Sequence, residues 1–276
     1  MSALLALMSA ATFGAADFLG GLASRRSTST VTVVLLSQTV GLSLLIALLL
    51  VFGGDLHSED IWWAGGAGIA GVIGLVLLYR GFSIGTISVV APITGLVGAL
   101  VPLAWGLVTG ERPSWVAGIG IVIALGAVVL VSGASSLAEF RARAGMPEAV
   151  GAGAGFGIFF VLISNASSAE LWLVAFSRAA SISLLLGVVV VRGIAVRPAP
   201  GVARLVVASG TGDAVANLLF LAAERRGLLS LVAVIASLYP ATTVLLARVV
   251  LKERMSRLQQ VGLGLAALGV ALIGFF

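Results

Sequence analysis

The chain has no cysteine, a single histidine and few charges: only 10% of its 276 residues are Asp, Glu, Lys or Arg. Without cysteine there are no disulfides, thiolate metal sites or cysteine nucleophiles. The lone His57 lies in a loop with Asp55, Glu59 and Asp60. That loop reads as solvated and acidic rather than metal-binding, and one loop histidine cannot complete a Ser-His-Asp triad. There is no HExxH motif and no Walker loop, so neither zinc-dependent hydrolysis nor ATP drive is expected, nor any cofactor. A soluble domain carries roughly a quarter charged residues. This chain could not cover itself with polar surface.

What it has instead is apolar length. Hydrophobic residues make up 60%, glycine occurs 36 times, and mean hydropathy is +1.19. Runs of about 20 apolar residues, the length a helix needs to cross a bilayer, recur from end to end. They are continuously apolar, whereas barrel strands alternate. The composition therefore predicts an all-α integral membrane protein, multi-pass, in the cell (inner) membrane. The first run has no basic leader and no small-residue cleavage site, and reads as a retained span. Ten spans can be drawn: 3–23, 30–52, 62–82, 86–108, 114–133, 148–168, 170–191, 202–222, 228–250 and 257–275. The net charge of +5 is spread singly or in pairs between them, a sign of topology rather than of nucleic-acid binding. Loops after odd spans hold most of the basic residues, including Arg25, Arg26, Arg141, Arg143, Arg192, Arg197, Lys252, Arg254 and Arg257. The loop Asp55–Asp60 is acidic, so the charge rule places both termini outside.

The spans repeat. Gly85, Ser88, Ala91, Glu111, Arg112, Ser114 and Gly120 recur 142 residues later as Gly227, Ser230, Ala233, Glu253, Arg254, Ser256 and Gly262. Apolar matches would arise from composition, but a polar E-R-x-S at one place between two spans is harder to obtain by chance. The expected organisation is ten transmembrane helices as two five-helix repeats, residues 1–138 and 139–276. An odd number of crossings per unit requires the two to insert with opposite orientation. Inverted repeats enclosing a substrate site are a transporter design.

Charged side chains inside a bilayer cost roughly 2.5–3.5 kcal/mol each on the insertion scale, so each needs a reason. Asp17 lies deep in span 1, where it could carry a proton, or else cap a helix end ahead of Gly20 and Gly21. Asp213 lies midway in span 8, with Asn217 one turn along the same face. The pair could hold a substrate amine or hydroxyl, or Asp213 could simply pair with Arg178, midway in span 7. Arg178 stays protonated; it could hold a substrate carboxylate or clamp Asp213. Tyr239 and Pro240 interrupt span 9, and Pro92 and Pro102 could play a matching part in span 4. Gln38, Ser37 and Asn165 are weaker polar candidates. The glycine series Gly65–Gly74 and Gly151–Gly157 would let helices approach closely.

The layout of ten spans in two halves, with Gly110-Glu111-Arg112 after span 4, Leu251-Lys252-Glu253-Arg254 after span 9 and Leu238-Tyr239-Pro240 within span 9, resembles the EamA-type transporters of the drug/metabolite transporter superfamily. FGAADFLGGLASRR at 13–26 and GDAVANLLFLAAERRG at 212–227 look like a bacterial subgroup of these. The resemblance covers the whole chain. It implies ten helices, a central cavity, and export or exchange of small metabolites without ATP. Many members carry an arginine in span 2, where this chain has Gln38; the second-half counterpart, Arg178, is present. Many also have a basic loop after span 2 and cytoplasmic termini.

The expectation is a secondary active transporter, not an enzyme, acting on small metabolites or amphiphilic compounds by alternating access. The cavity would be lined by spans 1, 3, 4, 6, 8 and 9. Its partners would be a small-molecule substrate, protons as a candidate coupling ion, and the lipid bilayer, with the chain a monomer or homodimer. Rival readings are a passive facilitator or channel for small polar solutes, and a lipid-related membrane protein.

Overall fold

The computed structural model describes residues 1–27, 29–132, 144–252 and 256–274, and all regular structure among them is helical. The helices are α1 (Ser2–Arg25), α2 (Thr30–Phe52), α3 (Asp60–Ile84), α4 (Ile87–Val108), α5 (Trp115–Ser132), α6 (Met146–Ser164), α7 (Glu170–Arg192), α8 (Ala203–Glu224), α9 (Leu229–Ala236), α10 (Tyr239–Leu251) and α11 (Arg257–Gly274). Lipid offers no hydrogen-bond partners, so an apolar chain satisfies its backbone within each helix. Among the described residues eight helical stretches are long and apolar enough to cross a membrane, counting Leu229–Leu251 as one, with a shorter apolar stretch at Trp115–Ala127. Arg141, Arg143, Glu253 and Arg254, part of the loop-charge and repeat patterns, lie outside the described residues.

The helix breaks follow local chemistry. Ser29 caps α2, its side chain accepting from Thr32 N–H at 3.3 Å. Gly193 closes α7 in the left-handed region, at φ 61°, where a side chain would be strained. The ninth apolar run divides at Ser237–Leu238, and α10 restarts with Pro240 in its first turn, where the missing N–H costs nothing. The matching interruption expected in span 4 does not occur: α4 runs unbroken through Pro92 and Pro102. Neighbouring helices can absorb a proline bend within a membrane bundle.

Residues 1–132 and 144–274 interlock rather than stand side by side. The most extensive packing joins α1 to α8, α3 to α6, and α5 to α11. Small residues make this possible. A Cβ at Gly155 of α6 would fall 2.8 Å from the Ala70 carbonyl oxygen and 2.9 Å from the backbone of Gly74 on α3. On another side of α6, Gly153 and Gly157 face Val97, Gly98 and Val101 of α4. Ser9 of α1 donates to the Ala216 carbonyl of α8 at 2.8 Å.

The first copy of the repeated E-R-x-S has a structural role. The Glu111 carboxylate accepts from the N–H groups of Leu229 at 2.9 Å and Ser230 at 3.0 Å, the opening residues of α9. An anion there meets unpaired donors and the positive end of the helix dipole. Ser114 accepts from Ala117 N–H at 3.1 Å and so starts α5. Glu111 thus anchors a helix more than a hundred residues further along the chain.

The acidic loop is not simply solvated. Asp60 is buried and accepts from Ser168 N–H at 2.6 Å, Ser168 Oγ at 2.7 Å, Ser167 N–H at 2.9 Å and Ser167 Oγ at 3.2 Å. It ties the α2–α3 loop to the α6–α7 loop. His57 lies 3.7 Å from Asp60, and no group of three metal-ligating side chains occurs among the described residues.

Two substitutions test this packing. Gly155→Ala forces backbone against backbone and is expected to lower stability by about 1–3 kcal/mol. Glu111→Ala leaves two helix-end donors without their acceptor and should cost about 1–2 kcal/mol. Both are read as a lowered melting temperature of the purified protein; an unchanged value for either would remove the contact assigned to it.

Candidate functional site

Among the described residues the helices enclose a cavity whose empty space, including the part open to solvent, is about 760 Å³. Asp17, Arg178, Asp213, Asn217 and Tyr239 all line it. These residues lie far apart in sequence and come from α1, α7, α8 and α10, each well inside its apolar run. The lining extends beyond the expected set of spans: Gln38 of α2 and Ser177, Arg178 and Ser181 of α7 also reach the cavity. The physical reason is the glycines on the facing helices. Gly41 leaves room for the Arg178 guanidinium, whose Cζ and Nε would lie 3.2 Å from a Cβ at that position. Gly68 lets α3 meet the backbone of α7 at Ser177.

Arg178 is the hub of the polar wall. It is only 4% exposed. Its Nη2 donates to Asp213 Oδ2 and its Nη1 to Gln38 Oε1, while Nε has no partner among the described residues. Asn217 Nδ2 donates to the Asp213 carbonyl at 2.8 Å and to Asp213 Oδ1 at 3.4 Å. The carboxylate of Asp213 is thereby held between a guanidinium and an amide. Of the two roles open to Arg178, clamping Asp213 is the one this arrangement adopts. Gln38 was a weak candidate from sequence, and only its meeting with Arg178 brings it into the site.

Asp17 is different. It is 4% exposed, within the unbroken helix α1, so it neither caps a helix end nor sits in a loop. It has no hydrogen bond or ion pair among the described residues. Its basic neighbour in sequence, Arg25, donates instead to the carbonyls of Phe82 at 2.7 Å and Gly85 at 2.9 Å. Arg80 pairs with Glu148 at 3.3 Å.

Tyr239 lines the cavity, while its hydroxyl donates to the Ala91 carbonyl of α4 at 3.3 Å. The break before Tyr239 places Ser237 and Ala236 on the cavity wall beside it.

Part of the lining is aromatic, and sequence reasoning missed it. Phe156, Phe159 and Phe160 of α6 and Phe13 of α1 line the cavity. Phe160 sits edge-on to Phe13 at 6.2 Å and to Phe159 at 5.4 Å, and stacks on Phe220 at 4.1 Å. The signal was available: 156, 159 and 160 share one helical face at i, i+3, i+4, while Gly153 and Gly157 form another. In an apolar chain that spacing does not distinguish a ligand wall from ordinary packing.

The EamA-like transporter family matches this chain over residues 1–133 and 144–275. A search of curated proteins finds no match. Among solved structures, one described as the crystal structure of a protein has a TM-score of 0.73 at 19% identity, covering 97% of this chain and 98% of its own; that likeness shows a shared fold. With nearly its whole length matched and its apolar helices able to cross a bilayer several times, this chain is a multi-pass membrane protein belonging to the EamA-like transporter family.

Proposed function

We propose that the protein is a secondary active transporter of the cell inner membrane, moving small metabolites or amphiphilic compounds by alternating access. The observation that carries the reading is the cavity itself. Helices of both halves surround it, and Asp17, Arg178 and Asp213 converge there from the middle of apolar runs. Charges placed at that depth need a function or a partner.

Two inverted five-helix halves, 1–138 and 139–276, with ten crossings, are supported by the packing. Taking α9 and α10 as one span, exchange of the halves converts the α1–α8 packing into the α3–α6 packing and the α2–α8 packing into the α3–α7 packing. All four occur, and α5 packs on α11, its own counterpart. The separate matches over 1–133 and 144–275 agree with such halves. Rocking of one half against the other would expose the cavity to each side in turn. The end bearing Arg25 and Arg80 would face the cytoplasm.

Asp213 and Asn217 would contact substrate, with Arg178 staying paired with Asp213. Arg178 keeps its proton, so Asp17 and Asp213 are the groups that would carry a coupled one. A passive channel is a poorer fit, because much of the cavity lining is aromatic or aliphatic rather than polar.

The test is exchange in proteoliposomes loaded with a mixed metabolite pool, with isotope-labelled pool outside and mass spectrometry of what crosses. Wild-type protein should exchange at least one solute above empty liposomes, and Asp213→Asn should reduce that exchange at least tenfold. No exchange by wild type, or an unchanged rate in the variant, would sink the reading. A stability control separates site from scaffold. Asp213→Ala leaves a buried guanidinium without its counter-ion, a change that costs about 3–5 kcal/mol when such a pair is broken. Asp213→Asn keeps an acceptor for Arg178 and should cost less. Adding Arg178→Met to Asp213→Ala should restore part of the loss; no recovery would mean that the pair is not coupled.

A further inference from the structure

We propose that the cavity is built for a small monovalent organic cation with an aromatic or apolar body, held by Asp17 against the phenyl rings of α1 and α6. This deepens the transport reading and rests on the same site. The argument begins with the charge balance. The cavity brings together two carboxylates, Asp17 and Asp213, and one guanidinium, Arg178. Arg178 is committed to Asp213 and Gln38, and Asn217 completes the surroundings of Asp213. The positive charge is therefore cancelled within the wall.

Asp17 is left over. It is buried, lines the cavity, and has no hydrogen bond or ion pair among the described residues. The groups that bear on it electrostatically are Asp213, which repels it, and the hydroxyls of Tyr79 and Tyr239. Those hydroxyls are occupied by Ser209 at 2.9 Å and by the Ala91 carbonyl at 3.3 Å. A buried carboxylate without a partner is costly. A proton or a ligand that brings a positive charge removes that cost, whereas a neutral ligand leaves it and an anion adds to it.

The aromatic wall selects the kind of cation. Phe13 precedes Asp17 by one helical turn and faces Phe160, which in turn contacts Phe159. Ring faces attract organic cations, and phenyl walls accept an apolar body. A hard metal ion would need six or more oxygen ligands, which this wall of rings does not provide. The preference for a substrate carboxylate that an isolated Arg178 suggests does not follow from the folded site, because both terminal nitrogens of its guanidinium are already engaged.

The experiment uses the full chain, purified in lipid nanodiscs, and three soluble probes that share a phenyl group: benzyltrimethylammonium, phenylalanine and 3-phenylpropionate. Binding is measured by calorimetry. The expected result is saturable binding of benzyltrimethylammonium, at least tenfold tighter than of 3-phenylpropionate. Asp17→Asn should weaken cation binding at least tenfold, as loss of a desolvated charge partner does. Phe160→Leu should weaken it about two- to fivefold. Melting temperatures without ligand check that each variant is folded, and Asp17→Glu, which keeps the charge, should retain most of the affinity if Asp17→Asn does not fold. The inference is overturned by no cation binding to wild type, by tighter binding of the anion or zwitterion, or by a folded Asp17→Asn with wild-type affinity. Exchange of an anionic or zwitterionic solute without cation binding would remove this inference and leave the transport reading standing. Cation binding that depends on Asp17, without exchange of any solute, would keep the site and remove transport.

Discussion

The structure depends on how an apolar interior accommodates Arg178. A guanidinium held permanently charged inside a helical bundle must be neutralised and hydrogen-bonded, or the bundle does not form. Asp213 supplies the opposite charge and Gln38 an uncharged acceptor. These partners lie on α8 and α2, while Arg178 is on α7, so one side chain ties together three helices from both parts of the chain. Gly41 yields the space, and Asn217 orients the carboxylate. The polar wall of the cavity is built around this one requirement.

Glycine decides how closely the rest can assemble. Lipid supplies little hydrophobic drive between helices, so association relies on close packing and hydrogen bonds. Around α6 the small residues are sorted by direction: Gly155 meets α3, Gly153 and Gly157 meet α4, and the phenylalanines take the remaining face towards the cavity. One helix thereby makes two tight backbone contacts and still contributes an aromatic wall. Filling the glycine faces would push α3 and α4 outward and change the cavity they enclose.

The ends of the bundle use polar residues for a different purpose. Asp60 ties one loop to the serines of another, Arg225 pairs with Glu170 at 3.0 Å and donates to the Ser168 carbonyl, and Glu111 holds the first turn of α9. These contacts fix loops and helix starts without entering the cavity. Glu111 also anchors the helix that breaks at Ser237–Leu238, so the interrupted run is held at its start and free of a regular ladder at its middle, beside the site. Asp60, Glu111, Glu170 and Arg225 thus fasten the ends, while Asp17, Arg178 and Asp213 face the cavity.

Much of this was legible in the residues themselves. Apolar runs separated by turn and charge signals marked the helices, because a bilayer demands length and internal hydrogen bonding. Tyr239-Pro240 marked the break in the ninth run, because proline removes a backbone donor and bends a helix. Asp17, Arg178 and Asp213 stood out because charge is costly at that depth, and the structure brings all three to one cavity. What the sequence could not order was their pairing. Arg178 meets a residue 35 positions away and another 140 positions away, and such meetings depend on how each helix is rotated and how closely its neighbours approach. Pro92 and Tyr239-Pro240 look alike as text, yet one helix stays whole and the other breaks, since neighbours decide whether a freed backbone group is satisfied. The aromatic wall was hidden because phenylalanine is unremarkable in an apolar chain. The sequence by itself determined a membrane bundle and its unusual charges; the tertiary structure decided which charge is cancelled and which is left facing the cavity, because only packing sets the distances on which electrostatic pairing depends.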